Sequence, residues 1–247
     1  MPDYPIILGV YSLAMQSGIG MGDTFGKHQS TTYWYARQLD ADRFEVQPLN
    51  VYHVPSGVKK ELSAGEFLTQ YAPEPGYYKA NTVPALRSLA AKIEKGEAFF
   101  SMGNLDEAEK QFVKALMIDD VNIKANYGLG QVASEKKDYA RLKKVLVTLL
   151  HLDEAFAHEY RGHFNSFGIT LRKNKNYDEA LTFYGRALEL DAMDENVHFN
   201  MARAYFEKKA TDDCLSHLNI ALAINPGFIE ARKFLDYAMR RMGDPAS

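Results

Sequence analysis

Between residues 89 and 226 small and bulky apolar positions recur in a fixed order. A small residue is followed by a bulky or small one three places on, a mostly small one twelve on, an aromatic or Leu sixteen on, and Ala or Leu nineteen on. Gly96 leads to Phe99, Ala108, Phe112 and Ala115, and Gly130 to Ala133, Leu142, Leu146 and Leu149. Gly168 leads to Leu171, Ala180, Tyr184 and Ala187, and Ala202 to Tyr205, Cys214, Leu218 and Ala221. The leading positions lie 34, 38 and 34 residues apart (130 − 96, 168 − 130, 202 − 168). The spacings inside each copy are helical. A recurrence of this length marks stacked helical hairpins. The small residues let the two helices of a hairpin approach closely, and the bulky ones fill the space beside them. One hairpin cannot bury its own apolar face, so the copies stack into a solenoid. The second copy is the most degenerate, with Leu142 where the others carry a small residue.

Polar positions mark the helix ends. Asp106-Glu107 and Asp178-Glu179 open second helices, where carboxylates favour the helix dipole. Gly103 suits a left-handed end of a first helix. The longer interval adds four residues, close to one helical turn of about 3.6. It predicts that HLDEAFAHEYRGHFNSFG holds a first helix lengthened by a turn; a longer loop between repeats is the alternative. After Pro226, Phe228, Ala231, Phe234, Leu235 and Ala238 again fall at helical spacing. They predict a terminal helix over 227–243 that caps the stack, with Arg240 and Arg241 in its last turn and Gly243 after it, and a tail at 244–247.

The segments GEAFFSMGNLDEAEKQFVKALMIDD, GITLRKNKNYDEALTFYGRALELDA and ARAYFEKKATDDCLSHLNIALAINP resemble the tetratricopeptide repeat (TPR) family, and Pro226 stands where that family places a repeat-ending proline. The resemblance covers about residues 89–226 in four copies. It implies a TPR helical-hairpin solenoid over 84–226, and with the small β-rich N-terminal segment read below the fold class is mostly α. It also implies a ligand groove built from the first helix of each repeat. Carried over by position, the groove residues are Lys124, Tyr127 and Gln131 in the second repeat and Asn165, Arg172 and Lys173 in the third. The fourth contributes Asn196, Phe199 and Arg203, with Asn200 at the edge, and the terminal helix adds Lys233 and Tyr237, with Arg240 and Arg241 beyond them. This set is basic with interleaved aromatics. The dicarboxylate-clamp subtype is not matched, because its diagnostic Asn position holds Glu97, Gln131, Ile169 and Arg203.

The first third reads differently. Residues 16–32 are Gly-rich and polar without a helical period, so residues 1–32 are expected to form a flexible arm. TYWYARQL and RFEVQPLN, separated by Asp40-Ala41-Asp42, predict a β-hairpin. VPSGVKKEL would add a third strand, SAGEFLTQY a short helix, and the run Ala72-Pro73-Glu74-Pro75-Gly76 a break. A β-rich mini-domain over 33–83 follows, marginal alone at that size.

Composition narrows the function classes. The chain has 247 residues, 46% apolar and 25% charged, with net charge −3, so no basic excess points to nucleic acid. One cysteine, Cys214, excludes an intrachain disulfide framework and falls where the repeat needs a small core residue. The N-terminus does not read as a secretory signal, and no apolar run reaches the ~18 residues of a membrane span. The expected compartment is the cytoplasm. Gly18–His28 approaches a phosphate-binding loop, but Met21 holds its first Gly position and His28 its Ser/Thr position. His158 and His163 are five apart, which turns them to different helix faces rather than toward one metal. No catalytic residue, metal ligand or cofactor is expected. The reading is a protein–protein adaptor or scaffold that binds an acidic or amphipathic peptide segment, without nucleic acid or membrane insertion. The alternatives are a self-assembling structural protein, or recognition by the N-terminal segment with the repeats only presenting it.

Overall fold

The computed structural model describes residues 4–19 and 26–242. The chain divides into two compact units. Residues through Glu94 with Met117–Asp120 form one, and Lys95–Leu116 with the chain from Val121 onward form the other.

The first unit holds a sheet of β1 (Ile6–Ile19), β2 (Gly26–Gln38), β3 (Arg43–Pro48), β4 (Lys60–Ser63) and β5 (Tyr71–Pro73). Its order is β4-β3-β2-β1-β5 and every neighbouring pair is antiparallel. Alternate residues face opposite sides. Ala36, Phe44 and Val46 face α1 (Ala64–Gln70), where Phe67 stacks on Phe44 at 4.6 Å. A capping box between Ser63 and Glu66 starts that helix. On the other side Tyr35 packs near Tyr78. The bulge between Ile7 and Gly9 gives Gly9 a φ of +101°, and a Cβ there would fall 3.2 Å from the Tyr78 ring. Tyr78 lies in a π-helical turn (78–82) that links α2 (Pro75–Tyr77) to α3 (Val83–Ser101).

The expected hairpin is β2–β3, the third strand is β4, and the short helix is α1. The expected arm is corrected in large part: Gln16–Ile19 and Gly26–Thr32 belong to β1 and β2, whose ladder runs from Ile6↔Gln38 to Ile19↔Gly26. Backbone pairing rather than an apolar stripe makes this ribbon, so hydrophobic periodicity gives no sign of it. The run at 72–76 does end the short helix, which stops at Gln70, and its first residues Ala72 and Pro73 belong to β5, paired with Ser12 and Tyr11.

The second unit stacks helical hairpins. After α3 come α4 (Leu105–Leu116), α5 (Ile123–Glu135), α6 (Tyr139–Leu150), α7 (Arg161–Lys173), α8 (Tyr177–Leu190), α9 (Glu195–Glu207), α10 (Thr211–Ile224) and α11 (Ile229–Met242). The leading small residues sit where predicted. A Cβ on Gly96 would meet the Phe112 ring at 2.6 Å, and one on Gly168 would meet Tyr184 Cζ at 2.6 Å. Each first helix ends on a left-handed residue, Gly103, Lys137, Lys175 or Lys209, with φ of 57–74°. In each case paired amide bonds close the turn, for example Lys175 N–H to Arg172 O and Asn176 N–H to Leu171 O. Ala231, Leu235 and Ala238 of α11 close the core over Leu218 and Leu222, as a cap should.

The lengthened helix is not what forms. Helices α5, α7 and α9 each have 13 residues. The extra residues lie in the connection 151–160 as two 3-10 turns, Asp153–Phe156 and His158–Tyr160. Burial drives this: Ala155 is enclosed, and Phe156 packs on Phe164 at 5.9 Å and on Phe183 at 5.2 Å.

Candidate functional site

The inserted turns decide which predicted groove residues stay open. Tyr127 is not a groove residue: it is 0% exposed, and its hydroxyl donates to Ala155 O at 2.7 Å. Phe167, Phe183 and His163 surround its ring. Burial holds its phenol far above the ordinary range. Gln131 is also buried and donates to Ser166 Oγ at 2.5 Å, tying α5 to α7. Lys124 stays exposed and raises the local potential at His163, which burial pushes below the usual imidazole range.

Repeats three and four hold the rest together. Arg172 on α7 is only 12% exposed along its side chain, yet its nearest carboxylate, Glu207 on α9, stands 3.6 Å away. Arg203, one helix on, is half-buried. Burial first, and then the Arg172 charge, pull it below the ordinary arginine range. It remains a cation, because arginine does not lose its proton in proteins. Among the described residues Arg203 has no ion pair; its guanidinium carbon lies 5.7 Å from the centre of the Phe199 ring. Both arginines act on the buried Tyr184, whose phenol burial pushes up to about 12 while they pull it down. Two cations therefore share one poorly placed carboxylate in a partly desolvated spot, an arrangement that favours an added anion.

Aromatic rings continue the surface from there. Phe199 packs on Phe228 at 5.1 Å and Phe234 at 5.9 Å. Phe206 and Phe234 lead to Tyr237, which is exposed and carries Arg241 5.9 Å from its ring centre. Asn165 and Asn200 are half-buried, and Lys173, Asn196 and Lys233 are exposed. Arg240 donates back to Asp236 O at 3.1 Å, within its own helix. Phe206 and Glu207 were not among the expected residues. They lie 34 residues after Arg172 and Lys173 (206 − 172, 207 − 173), so the repeat period itself points to them.

Gly18–His28 falls largely outside the described residues. His158 is exposed in a 3-10 turn, and among the described residues no group of three or more His, Cys, Asp or Glu is arranged to hold a metal ion. No helix among the described residues is long and apolar enough to cross a membrane.

Family models describe the same hairpins. Residues 89–122 match the tetratricopeptide repeat model and residues 168–209 match a TPR repeat model. The chain carries tetratricopeptide repeats over these two stretches. A curated relative, the anaphase-promoting complex subunit cut9 of Schizosaccharomyces pombe, is 36% identical over 74 residues, which is 30% of this chain. The chain spans only 11% of that relative's length. Among solved structures, MamA (residues 41 to the end) from Desulfovibrio magneticus RS-1 is 17% identical with a TM-score of 0.46, covering 64% of this chain and 86% of that one. YrrB, described as a TPR protein with an unusual peptide-binding site, is 24% identical with a TM-score of 0.41, covering 63% and 78%. Stacked repeats of this kind supply extended surfaces for other proteins.

Proposed function

We propose that this TPR protein is a non-enzymatic adaptor that holds an acidic, amphipathic segment of another protein on the surface of α7, α9 and α11. The observation that carries the reading is the Arg172–Arg203 pair, in which Arg203 has no ion pair among the described residues. A ligand carboxylate would relieve the repulsion between them through charge-assisted bonds. Phe199 and Tyr237 would take the apolar side chains next to it, and Asn165 and Asn200 would hold ligand backbone. Cys214 supports a structural rather than reactive role, since burial pushes its thiol up to about 11. The compartment assumed is the cytoplasm.

The test is a titration of the full chain with a random acidic-aromatic peptide library, read by competition, in wild type, Arg203→Glu and Phe199→Ala. The reading expects Phe199→Ala to weaken binding most, by about 2 kcal/mol or more for a desolvated anchor. It expects Arg203→Glu to slow association and reduce its salt dependence. Binding unaffected by either change would remove this surface from the function. A chain that self-associates through α7–α11 would favour the structural alternative instead.

A further inference from the structure

In the first unit an open stretch of sheet edge lies beside a pocket lined by aromatic residues. The β2–β3 ladder pairs Trp34 with Pro48, and the Leu49 amide donates to Tyr33 O at 2.9 Å. Backbone groups of alternate residues point to the same edge of a strand. Since Tyr33 faces β3, Thr31 faces that side too. In the same register Val51 would stand opposite Thr31 (33 + 49 = 31 + 51). It does not. The chain turns away at Asn50, whose amide donates to Val54 O at 3.0 Å, and His53 adopts a left-handed φ of 63°. A non-glycine residue held in that region is a cost that structures concentrate at functional sites. Val51 is left 85% exposed beside an edge with no strand partner among the described residues.

A cavity of about 370 Å³ opens at this step, lined by Tyr33, Trp34, Pro48, Leu49, His53 and Tyr77 beside Thr31. Its walls are fixed. Tyr33 stacks on Tyr77 at 4.0 Å, His53 Nδ1 lies 2.8 Å from the Tyr77 hydroxyl, and the Trp34 indole N–H donates to Thr32 Oγ1 at 2.9 Å. The size falls in the range of ligand pockets, and the lining is apolar with rigid aromatic faces. An open backbone edge beside a side-chain pocket is the geometry that strand addition uses.

We infer that this step binds an extended segment of a partner protein, which continues the line of β3 along β2. The segment's backbone pairs with Thr31, and one large aromatic or aliphatic side chain enters the pocket. The continuity with the existing ladder selects an extended strand over a helix or a small molecule. An incoming strand also covers Val51, which is 85% exposed among the described residues.

Trp34 is the sole tryptophan of the chain and reports on the pocket directly. The probe is a phage-displayed random heptapeptide library without tryptophan, selected on the immobilised full chain. Selected peptides are then synthesised and titrated by Trp34 emission. Expected are peptides with one large apolar residue between β-branched neighbours that shift this emission. Thr31→Pro removes the outward-facing amide donor without taking a donor from the β1–β2 ladder, a change that edge strands tolerate. It should weaken binding about tenfold or more, equivalent to about 1.4 kcal/mol. Val51→Asp, at an exposed position that folding does not need, should do the same. Arg203→Glu should leave binding unchanged, which separates this site from the groove of the repeats. The inference is overturned if no selected peptide shifts Trp34, if both first-unit variants bind as tightly as wild type, or if the chain is a dimer that Thr31→Pro dissociates, since the edge is then filled by a second copy.

Discussion

The imidazoles of His198 and His217 face each other across repeat four with their Nδ1 atoms 2.9 Å apart. His198 Nε2 lies 3.2 Å from Ala192 O and must donate to it, so in the neutral ring Nδ1 accepts and His217 supplies the proton. Burial, and after it the His198 charge, hold His217 below its usual pKa, while Asp213 pulls it back. Tyr205 stacks on its other face at 5.4 Å. Folding therefore favours neutral His217, and the unfolded chain takes up the proton near the ordinary histidine value of about 6.5. Stability should be full above that pH and decline as the pH falls through the depressed folded value. Thermal melts between pH 7.5 and 5 test this. His217→Asn keeps a donor without a titrating ring and should flatten the slope; an unchanged slope would place the titration elsewhere.

Two glycines in repeat three make opposite predictions. A side chain at Gly168 would collide with Tyr184, so Gly168→Leu should cost about 1–3 kcal/mol or more through overpacking. A Cβ on Gly185, inside α8, would meet nothing within 4 Å. Gly185→Ala should stabilise by about 0.5–1 kcal/mol through helix propensity. Urea melts that shift both the same way would contradict the packing described.

Tyr127→Phe strips the donor from the Ala155 carbonyl while keeping the ring. It should destabilise by about 1–3 kcal/mol, the cost of leaving a buried acceptor unpaired. Peptide affinity at α7–α11 should not change. A loss of affinity without a loss of stability would return Tyr127 to the groove.

The charge pair offers a separate check. Arg172→Met removes one of two repelling cations, and Arg203 should then move back toward its ordinary behaviour with little loss of stability. Capture of an acidic peptide should weaken and lose part of its salt dependence. An increase in affinity would show that the pair is not an anion site.

How much was legible in the sequence follows the physics of each element. The hairpins were readable because packing at Gly96, Gly130, Gly168 and Ala202 imposes residue size at fixed intervals. The β2–β3 hairpin was readable because runs rich in aromatic and β-branched residues flank Asp40-Ala41-Asp42. The β1–β2 ribbon was not, since backbone pairing leaves no such stripe. Tyr127 was misassigned because position within a repeat predicts direction only where the neighbouring connection is standard, and residues 151–160 fold down over it. Arg172 and Arg203 could be placed on one side by their period, but their shared desolvation needed three dimensions. The pocket beside Thr31 depends on where β3 departs from β2, and a single amide at Asn50 decides that.

The insertion at 151–160 also bears on how such an array can grow. Repeats three and four follow the 34-residue period (202 − 168), so a copy of Arg161–Asp194 could be spliced in after Asp194 with its junctions intact. Each copy would bring another arginine to the inner surface. The same operation on Ile123–Tyr160 would duplicate a tyrosine that needs its own overhanging carbonyl and would close the surface rather than extend it. Lengthening by gene duplication would thus extend the open surface at one end of the array and cover it at the other, where the 3-10 turn Asp153–Phe156 holds the covering carbonyl.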